Sequence, residues 1–182
     1  MAGNHSDLIR RYLEDMITVE KSFETQLREF SSAGDDDDVK QTFADHAEET
    51  RTQYERLGAA LQRLGGNAGK GKTLLARAFA LTPKSPQIPH IEEERIVQNL
   101  VVAYTVEAAE CGLYEGLATI AEAGGERETA ALARAIQAEE KRAAETIWRF
   151  IPTRSIIAYN MLTAGEIDPA VETKVGEASW IA

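Results

Sequence analysis

The sequence predicts an all-α protein, a bundle of four long helices arranged as two antiparallel hairpins that a long connection joins. Three observations support this fold class. Apolar residues recur every three or four positions in four long segments, the spacing of one face of a helix. Turns that contain Gly34 and Gly124-Gly125 separate the two members of each hairpin. No segment alternates apolar and polar residues over the length of a typical β-strand.

The first hairpin is predicted from two such stripes. Its first helix runs from about Ser6, a residue type that caps helix N-termini, to Phe30. The second helix runs from about Asp38 to Leu64 and stops at Gly65-Gly66. The acidic run Asp35–Asp38 is expected to form a solvated turn that also caps this helix.

The connection and the second hairpin follow. Residues 65–90 contain three prolines and one short helical candidate, Thr73–Leu81. The third helix is predicted from about Ile91 to Ala123 and the fourth from about Glu126 to Phe150. We expect Pro152 to end the fourth helix, because proline lacks the backbone N–H that a helix interior needs.

The chain after that proline is predicted to hold a short helix, Ser155–Leu162, and an extended tail. We therefore divide the sequence into a bundle, residues 1–154, and a C-terminal short helix with its tail, residues 155–182.

Length and composition indicate a single-domain protein of a reducing compartment. The 182 residues suffice for a single substantial core. The 30 acidic and 20 basic side chains give a net charge of −10, which argues against binding nucleic-acid phosphates. The single cysteine, Cys111, excludes an internal disulfide. The first 15 residues lack the apolar segment of a secretory signal, and the best apolar stretch, Leu100–Val106, is too short for a membrane span. We expect a cytoplasmic protein without nucleic-acid or membrane partners.

Four glutamates lie where the helical stripes call for apolar residues: Glu20, Glu49, Glu107 and Glu140. A carboxylate rarely enters a helix interface unpaired, because its desolvation is costly. Glu20 and Glu49 are each about 14 to 15 residues from the first turn, and Glu110 and Glu140 about 14 to 16 from the second, so antiparallel helices place them level. This common height favours a cation between the helices.

The neighbouring residues extend this acidic set into a recognisable ligand pattern. His46 precedes Glu49 by three positions, and Glu107 precedes Glu110 by three, so each pair shares a helix face. Di-iron carboxylate bundles take one glutamate from each of two helices and a Glu-x-x-His pair from each of the other two. All of these side chains project toward the bundle axis. Our candidate metal ligands are Glu20, His46, Glu49, Glu107, Glu110 and Glu140, and they would hold two iron or manganese ions per chain. An ordinary interface histidine remains the alternative for His46.

Three tyrosines accompany the acids on the inward faces. Tyr12, Tyr104 and Tyr114 are expected to lie in the core and to hydrogen-bond to the carboxylates through their hydroxyls.

Four strings resemble the YciE/YciF-like family of the ferritin-like, or rubrerythrin-like, superfamily. They are residues 12–15 followed by Glu20, residues 46–57, Val106 to Glu110 with Tyr114, and residues 138–141. The second is the most specific, and together they cover roughly residues 7 to 150. The resemblance implies a bundle with a dinuclear metal site, usually a homodimer, with a link to stress responses and no established reaction. Oxidase or peroxide-scavenging chemistry is therefore an expectation, and whether the protein is an enzyme stays open.

The chain departs from that family pattern at two places. Ala108 stands where family members often carry a histidine directly after the third-helix glutamate. The fourth helix has Ala143 and Ala144 downstream of Glu140, so it lacks a Glu-x-x-His pair. The expected site is therefore rich in carboxylates and has one imidazole.

Two alternatives compete with a metal site. In a metal-free helical interaction protein, Arg56, Arg134 or Lys141 would hold the acids across the bundle. Alternatively, residues 66–73 match the phosphate-loop pattern G-x-x-x-x-G-K-[ST], which suggests a nucleotide binder. That pattern indicates a phosphate-binding loop only when it follows a buried strand. The residues before it in this chain have helical periodicity instead.

Overall fold

The computed structural model describes residues 5–67 and 91–163, which form four α-helices and include no strand. The helices are α1, His5–Ser31; α2, Asp37–Arg63; α3, Glu92–Ala123; and α4, Arg127–Thr163. The predicted all-α four-helix fold is confirmed. The short helix proposed at Thr73–Leu81 and the tail beyond residue 163 lie outside the described residues.

The hairpin turns follow the local chemistry of the sequence. Gly34 and Gly125 have φ angles of 83° and 79°, a region that glycine enters without a steric penalty. The carboxylate of Asp36 accepts a hydrogen bond from the backbone N–H of Val39 at 3.1 Å, which caps α2. The acidic run therefore acts as the predicted cap.

Contacts at the helix ends fix the direction of each helix. The Arg10 side chain, near the start of α1, donates to the carbonyl of Leu64 at 3.0 Å, directly after α2. Arg63, at the end of α2, reaches Thr129 near the start of α4 at 2.8 Å. Gly34, after α1, lies against Ile96 near the start of α3. Helices α2 and α3 therefore run parallel, and α3 begins at the end of the bundle opposite to the end of α2, as in ferritin-like folds.

The apolar core consists of two clusters, one toward each end of the bundle. One is built around Leu13, Leu57 and Ile136, and the other around Phe23, Phe43 and Leu100. Burial of these side chains is the main favourable contribution to folding. The residues between the clusters along each helix are the polar ones described below.

Helix α4 continues through Pro152 to Thr163, so the prediction that Pro152 ends it is wrong. A proline inside a helix costs about 3 kcal/mol, because it removes one hydrogen bond and crowds the preceding turn. Contacts beyond it offset this cost. Arg154 forms an ion pair with Asp36, and Ala158 is buried. These tertiary contacts keep the last turns of α4 on the bundle.

Two further sequence expectations can be compared with the described residues. The glycine- and lysine-containing motif at residues 66–73 follows helix α2 and not a strand, and residues 68–73 lie outside the described part of the chain. Among the helices that the structure describes, none has a stretch long and apolar enough to cross a bilayer.

Candidate metal centre

A layer of buried polar side chains separates the two apolar clusters. Every helix contributes to it, and five of the six predicted ligands lie in it with exposed fractions from 0% to 6%: Glu20, His46, Glu107, Glu110 and Glu140. Each interrupts an apolar stripe without leaving the inward face of its helix, so folding the stripes together brings the polar groups together. The structure thus gathers residues that are up to 120 positions apart in sequence, Glu20 and Glu140.

Glu49 is the exception, and its expected core position is wrong. Its side chain is 42% exposed, and its Oε2 lies 3.6 Å from Nδ1 of His46 at the edge of the layer. Thr50, the next residue along α2, is fully buried. A rotation of about 100° per residue separates the two positions, so only one of them can face the bundle axis.

His46 and Glu107 form the centre of the layer. Nε2 of His46 is hydrogen-bonded to Oε1 of Glu107, and the ring packs edge-on against Phe23 with centroids 5.9 Å apart. Burial alone would lower the pKa of His46, but the charge and hydrogen bond of Glu107 raise it to about 10. Ligating atoms of His46, Glu107 and Glu140 all lie within 4.8 Å of one another.

The other carboxyl groups of the layer favour their protonated forms when no cation is present. Burial raises the pKa of Glu20 to about 8, although a hydrogen bond from the Tyr114 hydroxyl opposes the increase. Burial, with the charges of neighbouring glutamates, also raises the pKa of Glu110 and of Glu140 well above the usual range. Like-charged carboxylates at this spacing in a dry interior require protons or cations between them.

Tyr114 is the tyrosine that joins this network. It is fully buried and donates to Glu20, whereas Tyr12 and Tyr104 are only partly buried. The expected hydrogen bond from an inward tyrosine to a buried carboxylate is present for Tyr114.

Several oxygens of the layer are buried without a hydrogen-bond partner in the described structure. These oxygens are Oε2 of Glu20, Oε2 of Glu107, Oε1 of Glu140 and both carboxyl oxygens of Glu110. Nδ1 of His46 is also buried without a hydrogen-bond partner there. Native interiors pair nearly all such atoms, because an unpaired buried polar group is costly. Carboxylate oxygens with one imidazole nitrogen are the donors that Fe²⁺ and Mn²⁺ accept. The residues therefore fit a metal.

The cations that could have neutralised the layer bind other acids instead. Arg56 is hydrogen-bonded to Glu139 through both of its terminal nitrogens. Arg134 binds Glu115 and Glu122 on the protein surface, with its Nε 3.1 Å from Glu122. Lys141 is exposed. The buried acids are therefore not held by the three basic residues that a metal-free bundle was expected to use.

The candidate ligand set did not include two buried polar residues of α2, although both lie in its predicted inward stripe. Thr50 and Gln53 are fully buried, and Gln53 donates to Glu139 at 3.3 Å. The available signal was their place in the same stripe as His46, at spacings of four and seven residues. Gln53 therefore adds a second donor to the carboxylate that Arg56 binds.

Solved structures of other proteins share this architecture. A protein from Xanthomonas campestris pv. campestris superposes with a TM-score of 0.68 at 22% identity, over 89% of this chain and 98% of that one. The Escherichia coli stress protein YciF gives 0.65 at 25% identity, over 90% and 99%. YcfI of Rhodopseudomonas palustris gives 0.62 at 23% identity, over 80% and 93%. The first and third likenesses show the fold alone.

Sequence comparison shows the family. No match to this chain is found among curated proteins. The family described as "Domain of unknown function (DUF892)" matches residues 4–158, which include all four helices nearly to the end of α4. The chain therefore belongs to the DUF892 family, whose YciF-like, ferritin-like members share its four-helix bundle.

Proposed function

We propose that this protein binds a dinuclear centre of iron or manganese in its polar layer. The proposed ligands are Glu20, His46, Glu107, Glu110 and Glu140, with Glu49 available from the edge. The observation that carries the proposal is the group of buried carboxylate oxygens without hydrogen-bond partners around His46 and Glu107. A divalent cation would supply the interaction that each of these oxygens lacks.

The surrounding residues suit a centre that reacts with small oxygen species. When bound, iron or manganese supplies electrons for the reduction of dioxygen or peroxide. The apolar clusters on both sides exclude bulk water from the layer. Tyr114 orients Glu20 through its hydroxyl, and the charge of Arg56, which is paired with Glu139, also acts on Glu20. Oxidase or peroxide-scavenging activity is the reaction class that we propose, in keeping with the stress-protein description of YciF.

Elemental analysis of protein purified without added metal tests the proposal. We expect one to two iron or manganese ions per chain, and a large loss in Glu107→Gln, because its carboxylate lies at the centre of the layer. Glu122→Gln is a matched control on the same helix, since Glu122 is exposed and pairs with Arg134. Wild-type protein that holds no metal after incubation with Fe²⁺ and Mn²⁺ would refute the proposal.

A metal-free helical interaction protein is the second candidate, and one observation favours it. The His46–Glu107 pair together with protonated Glu20, Glu110 and Glu140 makes a neutral layer without any metal. Thermal melting with and without a chelator separates the candidates. A chelator lowers the melting temperature of a metalloprotein, because it removes a ligand that binds only the folded state. It leaves that of a metal-free bundle unchanged.

We also propose a cytoplasmic homodimer, on the analogy of the fold. Tyr159, Met161 and Leu162, near the end of α4, are apolar and at least half exposed, which is consistent with an interface there. Sedimentation velocity decides between monomer and dimer.

A further inference from the structure

A groove between α2 and α4 reaches the polar layer from the surface. It has a volume of about 240 Å³. Its walls are Thr42, Asp45 and Glu49 on α2 and Arg142, Ala143 and Thr146 on α4, and His46 lies at its floor. Ile147 also lines it, and no phenylalanine, tyrosine or tryptophan ring of the described residues does.

The imidazole of His46 separates this groove from the buried carboxylates. Its Nδ1 is buried without a hydrogen-bond partner and faces Glu49 at 3.6 Å, while its Nε2 contacts Glu107 on the other side of the ring. The exposed fraction of the side chain falls from 42% for Glu49 to 5% for His46 and 0% for Glu107. These three residues therefore present donor atoms at successive depths from solvent to the centre.

The size and charge of the groove suit a small hydrated cation. At about 30 Å³ per water, a divalent ion with six waters occupies about 200 Å³, so the groove has room for it. The carboxylates of Asp45 and Glu49 attract such an ion, and the charges of Arg142 and of the His46 imidazolium, which both act on Glu49, oppose it.

We infer that this groove is the route by which divalent cations reach the polar layer, with Glu49 as the carboxylate donor beside His46. The inference rests on the proposed metal centre and assigns Glu49 to uptake from the mouth of the groove. It follows that the groove controls how fast the site fills, and that the buried carboxylates control how much metal the site holds. Rate and stoichiometry therefore respond to different substitutions.

Filling the groove tests the route. Chelator-treated full-length Ala143→Trp is mixed with Co²⁺ or Fe²⁺, and loading is followed by stopped-flow absorption and by final metal content. We expect the loading rate to fall about tenfold or more, because the ion must then wait for transient openings, while the final content stays at the wild-type value. Ala131→Trp is the matched control, an exposed alanine of the same helix that does not line the groove. It should load at the wild-type rate.

Two further variants keep the test decisive. Thr42→Phe fills the groove from α2 and takes the place of Ala143→Trp if circular dichroism shows that the latter is unfolded. Arg142→Glu should speed loading about tenfold at low ionic strength, and less as salt is added. Equal rates in wild type and in a folded groove-filling variant would overturn the route while leaving the metal centre intact. Failure of the wild type to load at all would instead overturn the proposed function.

Discussion

The imidazole of His46 on α2 and the carboxylate of Glu107 on α3 are hydrogen-bonded across the diagonal of the bundle, between helices that are not neighbours. This bond places an imidazolium and a carboxylate in direct contact inside a dry layer. Protons on Glu20, Glu110 and Glu140 then leave the layer neutral in metal-free protein. Metal ions would take the place of these protons, and the predictions below follow from that exchange.

Substitution of Glu110 and of Glu107 should affect stability differently. In metal-free protein Glu110→Gln replaces a protonated acid by an amide of similar size, so the free energy of unfolding should change by less than about 1 kcal/mol. Glu107→Gln removes the negative charge that the buried imidazolium of His46 contacts and should cost about 3 kcal/mol. Urea denaturation of chelator-treated variants measures both. Metal affinity should fall in each case, and equal stability losses would argue against the charge assignment.

The stability of metal-free protein should fall as the pH rises. The pKa of Glu20 is about 8 in the folded state against 4.5 for the free side chain, so its contribution is full below pH 4.5 and is lost as the pH rises through 8. The pKa of His46 is about 10 against 6.5, so its contribution is full below 6.5 and is lost through 10. The melting temperature should therefore decrease from about pH 6 to about pH 9.

The variant Glu20→Gln tests that pH dependence, and Glu49 is a group whose contribution depends on pH in the opposite direction. Glu20→Gln should flatten the part of the decrease that lies below about pH 8. Glu49, whose pKa is lowered by its contact with His46, loses its contribution only as the pH falls into the acidic range and so does not mask the effect. A melting temperature that rises between neutral and alkaline pH would contradict the assignment.

Metal loading should release protons. The raised pKa values of Glu20, Glu110, Glu140 and His46 favour a proton on each of these groups, and all four groups must lose it to act as ligands. We expect about four protons per two divalent ions, which balances their charge. Calorimetry in buffers of different ionisation enthalpy gives the count. Glu140→Gln should lower it by about one; a buffer-independent heat would mean that no proton leaves.

The ion pair between Asp36 and Arg154 should stabilise the last turns of α4. Burial alone would raise the pKa of Asp36, but Arg154 and the backbone N–H of Val39 hold it below its usual value. Arg154→Ala should cost about 1 kcal/mol, and Asp36→Ala about 2 kcal/mol because it also removes the cap of α2. A double-mutant cycle in urea isolates the coupling, with exposed Arg149→Ala as the control. Strictly additive losses would show that the pair contributes nothing.

Much of the fold was predictable because the residues that pack on the inward face of a helix recur every three or four positions in the sequence. The stripes around Leu13 and Leu57 and the turn at Gly34 depend on neighbours within a few residues, so they placed the helices to within a few positions. The helix that continues through Pro152 was not predictable, since the ion pair of Arg154 with Asp36 joins residues 118 positions apart.

The sequence by itself determined that acids would interrupt the apolar stripes, and it identified Glu20, His46, Glu49, Glu107, Glu110 and Glu140 as the candidate ligands. Only the tertiary structure decided which acids face the axis. Side chains at adjacent positions point in directions about 100° apart around the helix axis, and an apolar stripe is about 100° wide. Periodicity alone therefore does not show which of two adjacent residues lies at the centre of the buried face. Packing against α4 placed Thr50 inward and left Glu49 in the groove.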